Sequence, residues 1–297
     1  MAVTPAAPGT LKHRAEELAA QLPPLLVEAE RVAVTVSQGV HGRRRVGQGE
    51  TFWQFRQYEP GEPAQRIDWR ESARSERLYV RETEWEASES VWIWRDTSPS
   101  MAYSSAATHP TKRYRADLIA LALAALLIRG GERVTLLGSG LTPAAGNATL
   151  NRLALLIERA GGAPGPSLPG FEPLPRYGQL VMIGDLLSPL SEIEALARRF
   201  AALGVKGHLL QVLDPVEETL PFEGRVRFEG LENEDTLLMA RVETIRGQYE
   251  ERLQRHREGL AALAQMLGWS FGMHRTDRPA TTALLTLYGA LARPKGP

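Results

Sequence analysis

The stretch Val91-Trp92-Ile93-Trp94-Arg95-Asp96-Thr97-Ser98-Pro99-Ser100-Met101 constrains the fold more than any other part of the chain. Its first half is rich in β-branched and aromatic residues, with no helix-favouring run, and reads as a buried strand. Pro99 then stops the strand and makes a loop. Asp96, Ser98 and Ser100 occupy alternate positions, and alternate residues of extended chain project to the same side. One carboxylate and two hydroxyls can therefore converge above the strand end. Hard oxygen donors of this kind suit Mg²⁺ or Mn²⁺. In an open α/β sheet the carboxyl ends of the strands are also where ligands bind.

The chain beyond this stretch alternates strands and helices. Thr111 to Arg129 predicts a long apolar helix ended by Gly130-Gly131. Glu132 to Gly138 reads as a strand, Thr149 to Arg159 as a helix, and Gly161 to Pro175 as a Pro/Gly-rich linker. Leu180-Val181-Met182-Ile183 is a continuous apolar run, as a parallel strand covered on both faces requires, and it ends Gly184-Asp185. Ser191 to Leu203 (helix), Gly207 to Leu213 (strand), Trp269 to His274 (strand) and Thr281 to Ala292 (helix) continue the alternation. Between them, Val226 to Phe228 reads as an edge strand and Glu232 to Leu267 as a long charged helix broken near Gly247 or Gly259. The pattern predicts an α/β fold, with a doubly wound, mostly parallel sheet flanked by helices.

Residues 1–89 read differently. Leu11 to Arg31 has helical spacing interrupted by Pro23-Pro24, Val32 to Val36 resembles a short strand, and Arg43-Arg44-Arg45 lies in a charged loop. Tyr79 to Ser90 suggests a hairpin arm leading into the strand at Val91. Arg66, Asp68 and Arg74 are expected to form a structural ion-pair cluster around Trp69. The predicted division is thus 1–89, a helix plus a β-rich segment forming an α+β extension, and 90–297, the α/β domain.

Composition narrows the function. The chain has 297 residues, of which 43% are hydrophobic and 24% charged, with net charge +0 and no cysteine. That balance gives no broad attraction to nucleic acid or anionic lipid, and it excludes thiolate metal sites and Cys nucleophiles. The longest apolar run, Leu118 to Ile128, falls short of the ~20 residues of a membrane-spanning helix. With no secretory signal pattern at Met1 to Thr10, a cytoplasmic location is expected. The lysines are only Lys12, Lys112, Lys206 and Lys295, a bias toward Arg that reads first as genome composition. The histidines are scattered without ligand spacing, and no phosphate-binding Gly-x-x-x-x-Gly-Lys-Ser/Thr stretch is present. A haloacid-dehalogenase-type phosphatase would need a second acid where Ser98 stands.

The Asp-x-Ser-x-Ser stretch, after an apolar strand and with a later strand ending Gly-Asp, resembles the metal-ion-dependent adhesion site of von Willebrand factor A-type domains. That resemblance implies Ser98 and Ser100 as direct ligands of Mg²⁺ or Mn²⁺ and Asp96 and Asp185 as carboxylates acting through water. It implies a loop threonine as well, for which Thr149 is the best positional match and Thr142 the second. Without an ion, Asp96 and Ser98 would only cap the turn. Further upstream stand Arg56-x-Tyr58-x-Pro60-Gly61-Glu62, Arg66-x-Asp68-Trp69 and Ser72-Ala73-Arg74. Together with the Asp-x-Ser-x-Ser-Met end of the strand, they resemble the bacterial family known as domain of unknown function 58. Members of that family resemble von Willebrand A-like proteins encoded beside MoxR-type AAA+ ATPases.

The resemblance implies a non-enzymatic protein-interaction module, with no catalytic residues. Its cation would accept an acidic side chain of a partner, a MoxR-type AAA+ ATPase or its client, during complex maturation. The alternative is a metal-assisted, phosphatase-like hydrolase using the same ion.

Overall fold

A computed structural model describes residues 24–39, 51–58, 67, 69–74, 77–84, 89–160, 163–231 and 236–291. Helix α1 (Pro24–Gly39) belongs to the same compact unit as the chain from Glu89 onward, and Gly42–Ser88 forms a second unit. In the second unit β1 (Thr51–Gln57) and β2 (Tyr79–Glu84) pair antiparallel, with an irregularity between Phe52 and Gln54. A one-turn helix, α2 (Trp69–Ser72), lies between them in sequence, and Ser72 Oγ accepts the Tyr79 amide at 2.9 Å. Among the described residues the partner of the Tyr79 strand is therefore Thr51–Gln57, and residues 85–88 of the expected arm lie outside them. Of the expected ion-pair cluster, Arg66 and Asp68 lie outside the described residues, as does Arg43-Arg44-Arg45; Trp69 is exposed.

The larger unit is built on five parallel strands: β3 (Ser90–Arg95), β4 (Arg133–Leu136), β5 (Gln179–Gly184), β6 (Lys206–Leu213) and β9 (Ser270–Arg275), in the order β4-β3-β5-β6-β9. β7 (Val226–Phe228) and β8 (Leu237–Met239) pair only with each other, antiparallel. So the predicted Val226 strand is part of a separate two-stranded ribbon, not an edge of the main sheet.

Strand alternation divides the core in two. Val91, Ile93, Val181 and Ile183 pack on one face with α1, α3 (Lys112–Arg129), α4 (Asn147–Ala160) and α8 (Ala280–Leu291). Trp92, Trp94, Leu180 and Met182 pack on the other with α5 (Leu190–Ala202) and α7 (Arg246–Met266). Between α5 and α7 in sequence lies the short helix α6 (Pro215–Thr219). Helices thus cover both faces, which is why the three inner strands β3, β5 and β6 can carry apolar residues on both sides. The irregular run into β5 adds Leu168, Phe171 and Leu174 to the second face. α3 is buried without interruption from Ala116 to Ile128. A helix apolar all round must be covered on every side, and α1 and α8 supply the cover away from the sheet.

The larger unit resumes at Glu89, where the boundary was expected, but the packing moves the N-terminal helix out of the expected 1–89 extension. Leu26, Ala29, Ala33 and Val36 recur at helical spacing and are buried in the α/β core, so α1 is one of its layers. The Val32–Val36 run, predicted as a strand, lies inside that helix. Its β-branched composition is overridden by burial along one stripe. The charged C-terminal helix begins at Arg246, not near Glu232, and Gly259 does not break it. A Cβ at Gly259 would lie 2.4 Å from Leu190 Cδ2, so this glycine lets α7 approach α5 closely.

Candidate functional site

Strand order reverses around β3: its crossover leads to β4 on one side, and the chain returns to β5 on the other. The carboxyl ends of β3 and β5 therefore flank the switch point, the usual ligand crevice of such sheets. Asp96 follows β3 directly, and its amide still donates to the Ile183 carbonyl of β5 at 2.8 Å. A Cβ at Gly184 would come within 2.6 Å of Asp96 Cβ and 2.9 Å of its Oδ2. Glycine at that position lets the carboxylate lie against the neighbouring strand.

The chain then turns on its own polar atoms. Asp96 Oδ1 accepts the Ser98 amide (2.8 Å) and the Ser98 hydroxyl (2.6 Å), an arrangement in which a short acidic side chain closes the turn. Pro99 opens a 3₁₀ turn, Pro99–Ala102, whose Met101 is wholly buried and anchors it in the core. This holds Ser100 Oγ 3.1 Å from Ser98 Oγ, and Ser100 donates to Asp185 Oδ2 at 2.6 Å. Asp96, Ser98, Ser100 and Asp185 thus gather across two strand ends, each hydroxyl giving its one proton to a carboxylate while the two hydroxyl oxygens lie 3.1 Å apart. Asp96, Ser98 and Asp185 are buried, and Ser100 is half-buried.

Asp185 is fixed from several sides. Its carbonyl accepts Gln211 Nε2 of β6 at 2.9 Å, and its Oδ1 accepts the Leu187 amide at 3.2 Å. Between them Leu186, fully buried, adopts φ 50°, a left-handed conformation that costs a leucine about 1–2 kcal/mol. The turn aims the Leu186 carbonyl at His256 Nε2 of α7, 2.6 Å away.

The threonine does not join this group. Thr149 sits in the first turn of α4 and its hydroxyl donates to the Ala145 carbonyl at 3.0 Å. Thr142 is exposed in the loop before that helix. The side chain that does join is a lysine. Lys112, the first residue of α3, is 0% exposed, and its Nζ lies 3.0 Å from Asp185 Oδ2 and 2.6 Å from Glu217 Oε1. Burial works against the ammonium, but the charges of Asp185 and Glu217 outweigh it and hold its pKa above the usual lysine value.

Glu217 is in turn held by α6. Asp214 caps that helix through the Val216 amide (3.0 Å), and Glu217 Oε2 accepts the Asp214 amide (2.8 Å), a reciprocal capping box. Asp214 Oδ2 also accepts the Ser105 amide at 3.0 Å, tying the loop beyond the 3₁₀ turn to the end of β6.

Two carboxylates and two hydroxyls are a donor set suited to Mg²⁺ or Mn²⁺, and Asp96, Ser98, Ser100 and Asp185 are the residues that could hold such an ion. Among the described residues no group of three His, Asp or Glu side chains is gathered as metal ligands, so any cation here depends on the serines. Beside the loop opens a cleft of about 540 Å³, lined among others by Trp94, Thr97, Leu137, Ser139, Phe171 and Glu172. Thr97 lines this cleft, whereas Asp96 and Ser98 on either side of it do not.

Comparison with known proteins adds a family but no activity. Uncharacterized proteins of Mycobacterium tuberculosis and Mycobacterium bovis are 26% identical over 279 residues, spanning 88% of this chain and 86% of theirs. Among solved structures, the conserved hypothetical protein BatB of Bacteroides thetaiotaomicron is similar at 14% identity, with TM-score 0.41 over 69% of this chain and 98% of that one. An aerotolerance-related membrane protein of Bacteroides fragilis matches at 16% identity, with TM-score 0.39 over 68% and 98%. Among the described residues no helix is long and apolar enough to cross a membrane. The model of the family called protein of unknown function DUF58 matches residues 54–259, from within β1 through β2, the Asp-x-Ser-x-Ser turn and both strand-end carboxylates. This chain belongs to the DUF58 family.

Proposed function

We propose that the chain is a non-enzymatic, cytoplasmic binding module that receives an acidic side chain of a partner protein at the ends of β3 and β5. In this reading a Mg²⁺ or Mn²⁺ ion held by Asp96, Ser98, Ser100 and Asp185 supplies the positive charge that the visiting carboxylate meets. The single observation that carries the reading is the gathering of the Asp96 and Asp185 carboxylates and the Ser98 and Ser100 hydroxyls at two strand ends, with Ser100 bonded to Asp185 across 85 positions of sequence. The adjoining cleft supports a protein ligand, since its largely apolar wall suits the side chain next to the acid. The resemblance of DUF58 members to von Willebrand A-like proteins encoded beside MoxR-type AAA+ ATPases favours such an ATPase or its client as partner.

Calorimetric titration of Mg²⁺ and Mn²⁺ into the wild-type chain and Asp96→Ala, paired with capture of the MoxR-type ATPase with and without EDTA, tests this. The expected result is ion binding lost in Asp96→Ala, and capture lost with EDTA or with that variant. Ion binding that survives Asp96→Ala, or capture indifferent to EDTA, overturns it.

A further inference from the structure

We infer that Lys112 is a built-in competitor for the divalent cation: its ammonium holds Asp185 until an ion takes that carboxylate, and Glu217 retains the ammonium afterwards. The inference rests on the metal-site reading above and goes beyond it by assigning to Lys112 and Glu217 the control of ion affinity.

The argument begins with burial. A lysine with no exposed surface keeps its charge only where carboxylates surround it, and the ammonium of Lys112 meets two, Asp185 and Glu217. The Asp185 oxygen it reaches, Oδ2, already accepts the Ser100 hydroxyl. Those two donors occupy the lone-pair directions of that oxygen. A cation drawing on that oxygen must therefore displace one of them. Ser100 would itself be a ligand, so the group that yields is the ammonium. Glu217 makes that exchange feasible: at 2.6 Å it is already the nearer partner of Nζ, and its own position is fixed by the capping box of α6.

Two consequences follow from charge alone. A positive group at hydrogen-bond distance from a ligand oxygen lowers the affinity for a second positive group. A visiting carboxylate offsets that repulsion, so ion and acidic partner are expected to bind better together than either does alone.

The test is Mn²⁺ titration by calorimetry into the full chain, with folding of each variant checked by near-ultraviolet circular dichroism. Lys112→Met/Glu217→Gln removes one charge of each sign, so the net charge of the site is unchanged, and Asp185, the one carboxylate left without its ammonium, keeps the Ser100 hydroxyl and the Leu187 amide as donors. This double variant is expected to bind Mn²⁺ at least tenfold more tightly than the wild type. Glu217→Gln alone, which leaves the ammonium to Asp185, is expected to bind at least threefold more weakly. A double variant that binds no more tightly than a binding wild type overturns the role of Lys112 while leaving the metal site standing. Absence of binding in both chains at millimolar Mn²⁺ overturns the metal site and this inference together. Binding by the double variant alone supports the competition in its strongest form.

Discussion

Lys112 Nζ and the Ser100 hydroxyl share one acceptor, Asp185 Oδ2, at 3.0 and 2.6 Å. The serine arrives from the loop after β3 and the lysine from the start of α3, so the carboxylate at the end of β5 joins three elements at one atom. The charge of Asp185 is therefore met in part inside the protein, by an ammonium it shares with Glu217.

Breaking that arrangement from the lysine side is expected to be costly. Lys112→Met leaves Asp185 and Glu217 facing each other without their common cation, and loss of one member of a buried ion pair costs about 3–5 kcal/mol. Urea unfolding of this variant should show a midpoint well below that of Glu217→Gln, which retains the Lys112–Asp185 contact. Equal midpoints would mean that Lys112 is not the centre of the cluster.

Gly184→Ala tests the approach of β3 and β5. The added methyl carbon would lie 2.6 Å from Asp96 Cβ, against a neighbour pinned by its backbone bond to Ile183. Overpacking of this kind costs about 1–3 kcal/mol, and Asp96 is the residue that must shift. Thermal unfolding should fall accordingly, with Mn²⁺ affinity falling alongside it. Retention of full ion affinity would detach Asp96 from the site.

Leu26→Ala tests the place of α1. Leu26 is 1% exposed within the α/β core, so truncation should lower the stability of that unit by about 2–5 kcal/mol. Denaturant unfolding followed by the fluorescence of the chain's tryptophans reads this directly. A change within a few tenths of a kcal/mol would return α1 to the periphery.

Acidification should weaken the fold through His208. Burial, with Lys206 nearby, lowers its pKa to about 4, below the ordinary value near 6.5. The unfolded chain therefore binds a proton there that the folded chain does not. The neutral ring's contribution is complete above about pH 6.5 and is lost as pH falls toward 4, by at most about 3 kcal/mol. His208→Gln should flatten the stability–pH slope across that window relative to the wild type. Parallel slopes would reject the assignment.

The sheet and the polar turn were legible because both depend on local pattern. Apolar runs ending in Asp96 and Asp185 mark buried parallel strands, and alternate spacing places the two serines with the first acid. Lys112 and Glu217 carry no such pattern: they meet Asp185 from 73 residues upstream and 32 downstream in the chain, as the bonds between them record. A signal existed nonetheless. In a chain with so few lysines among its basic residues, one retained at the start of an apolar helix suits a place where a compact point charge fits and a broad guanidinium fork does not. Asp214-Pro215-Val216-Glu217 likewise has the spacing of a reciprocal helix cap, which locates Glu217 without showing what it faces. The threonine went astray because a hydroxyl in a first helical turn readily bonds its own backbone. The early helix was misjudged where β-branched residues outweighed the spacing of Leu26, Ala29, Ala33 and Val36.

The left-handed leucine after Asp185 has a mechanical meaning. Its carbonyl is gripped by His256 and the amide beyond it by the carboxylate itself, so the tip of the strand has no slack in which to swivel. That carboxylate is thereby tied to the long charged helix that carries His256, some seventy positions further along the chain, so the strand tip and the helix hold each other in register.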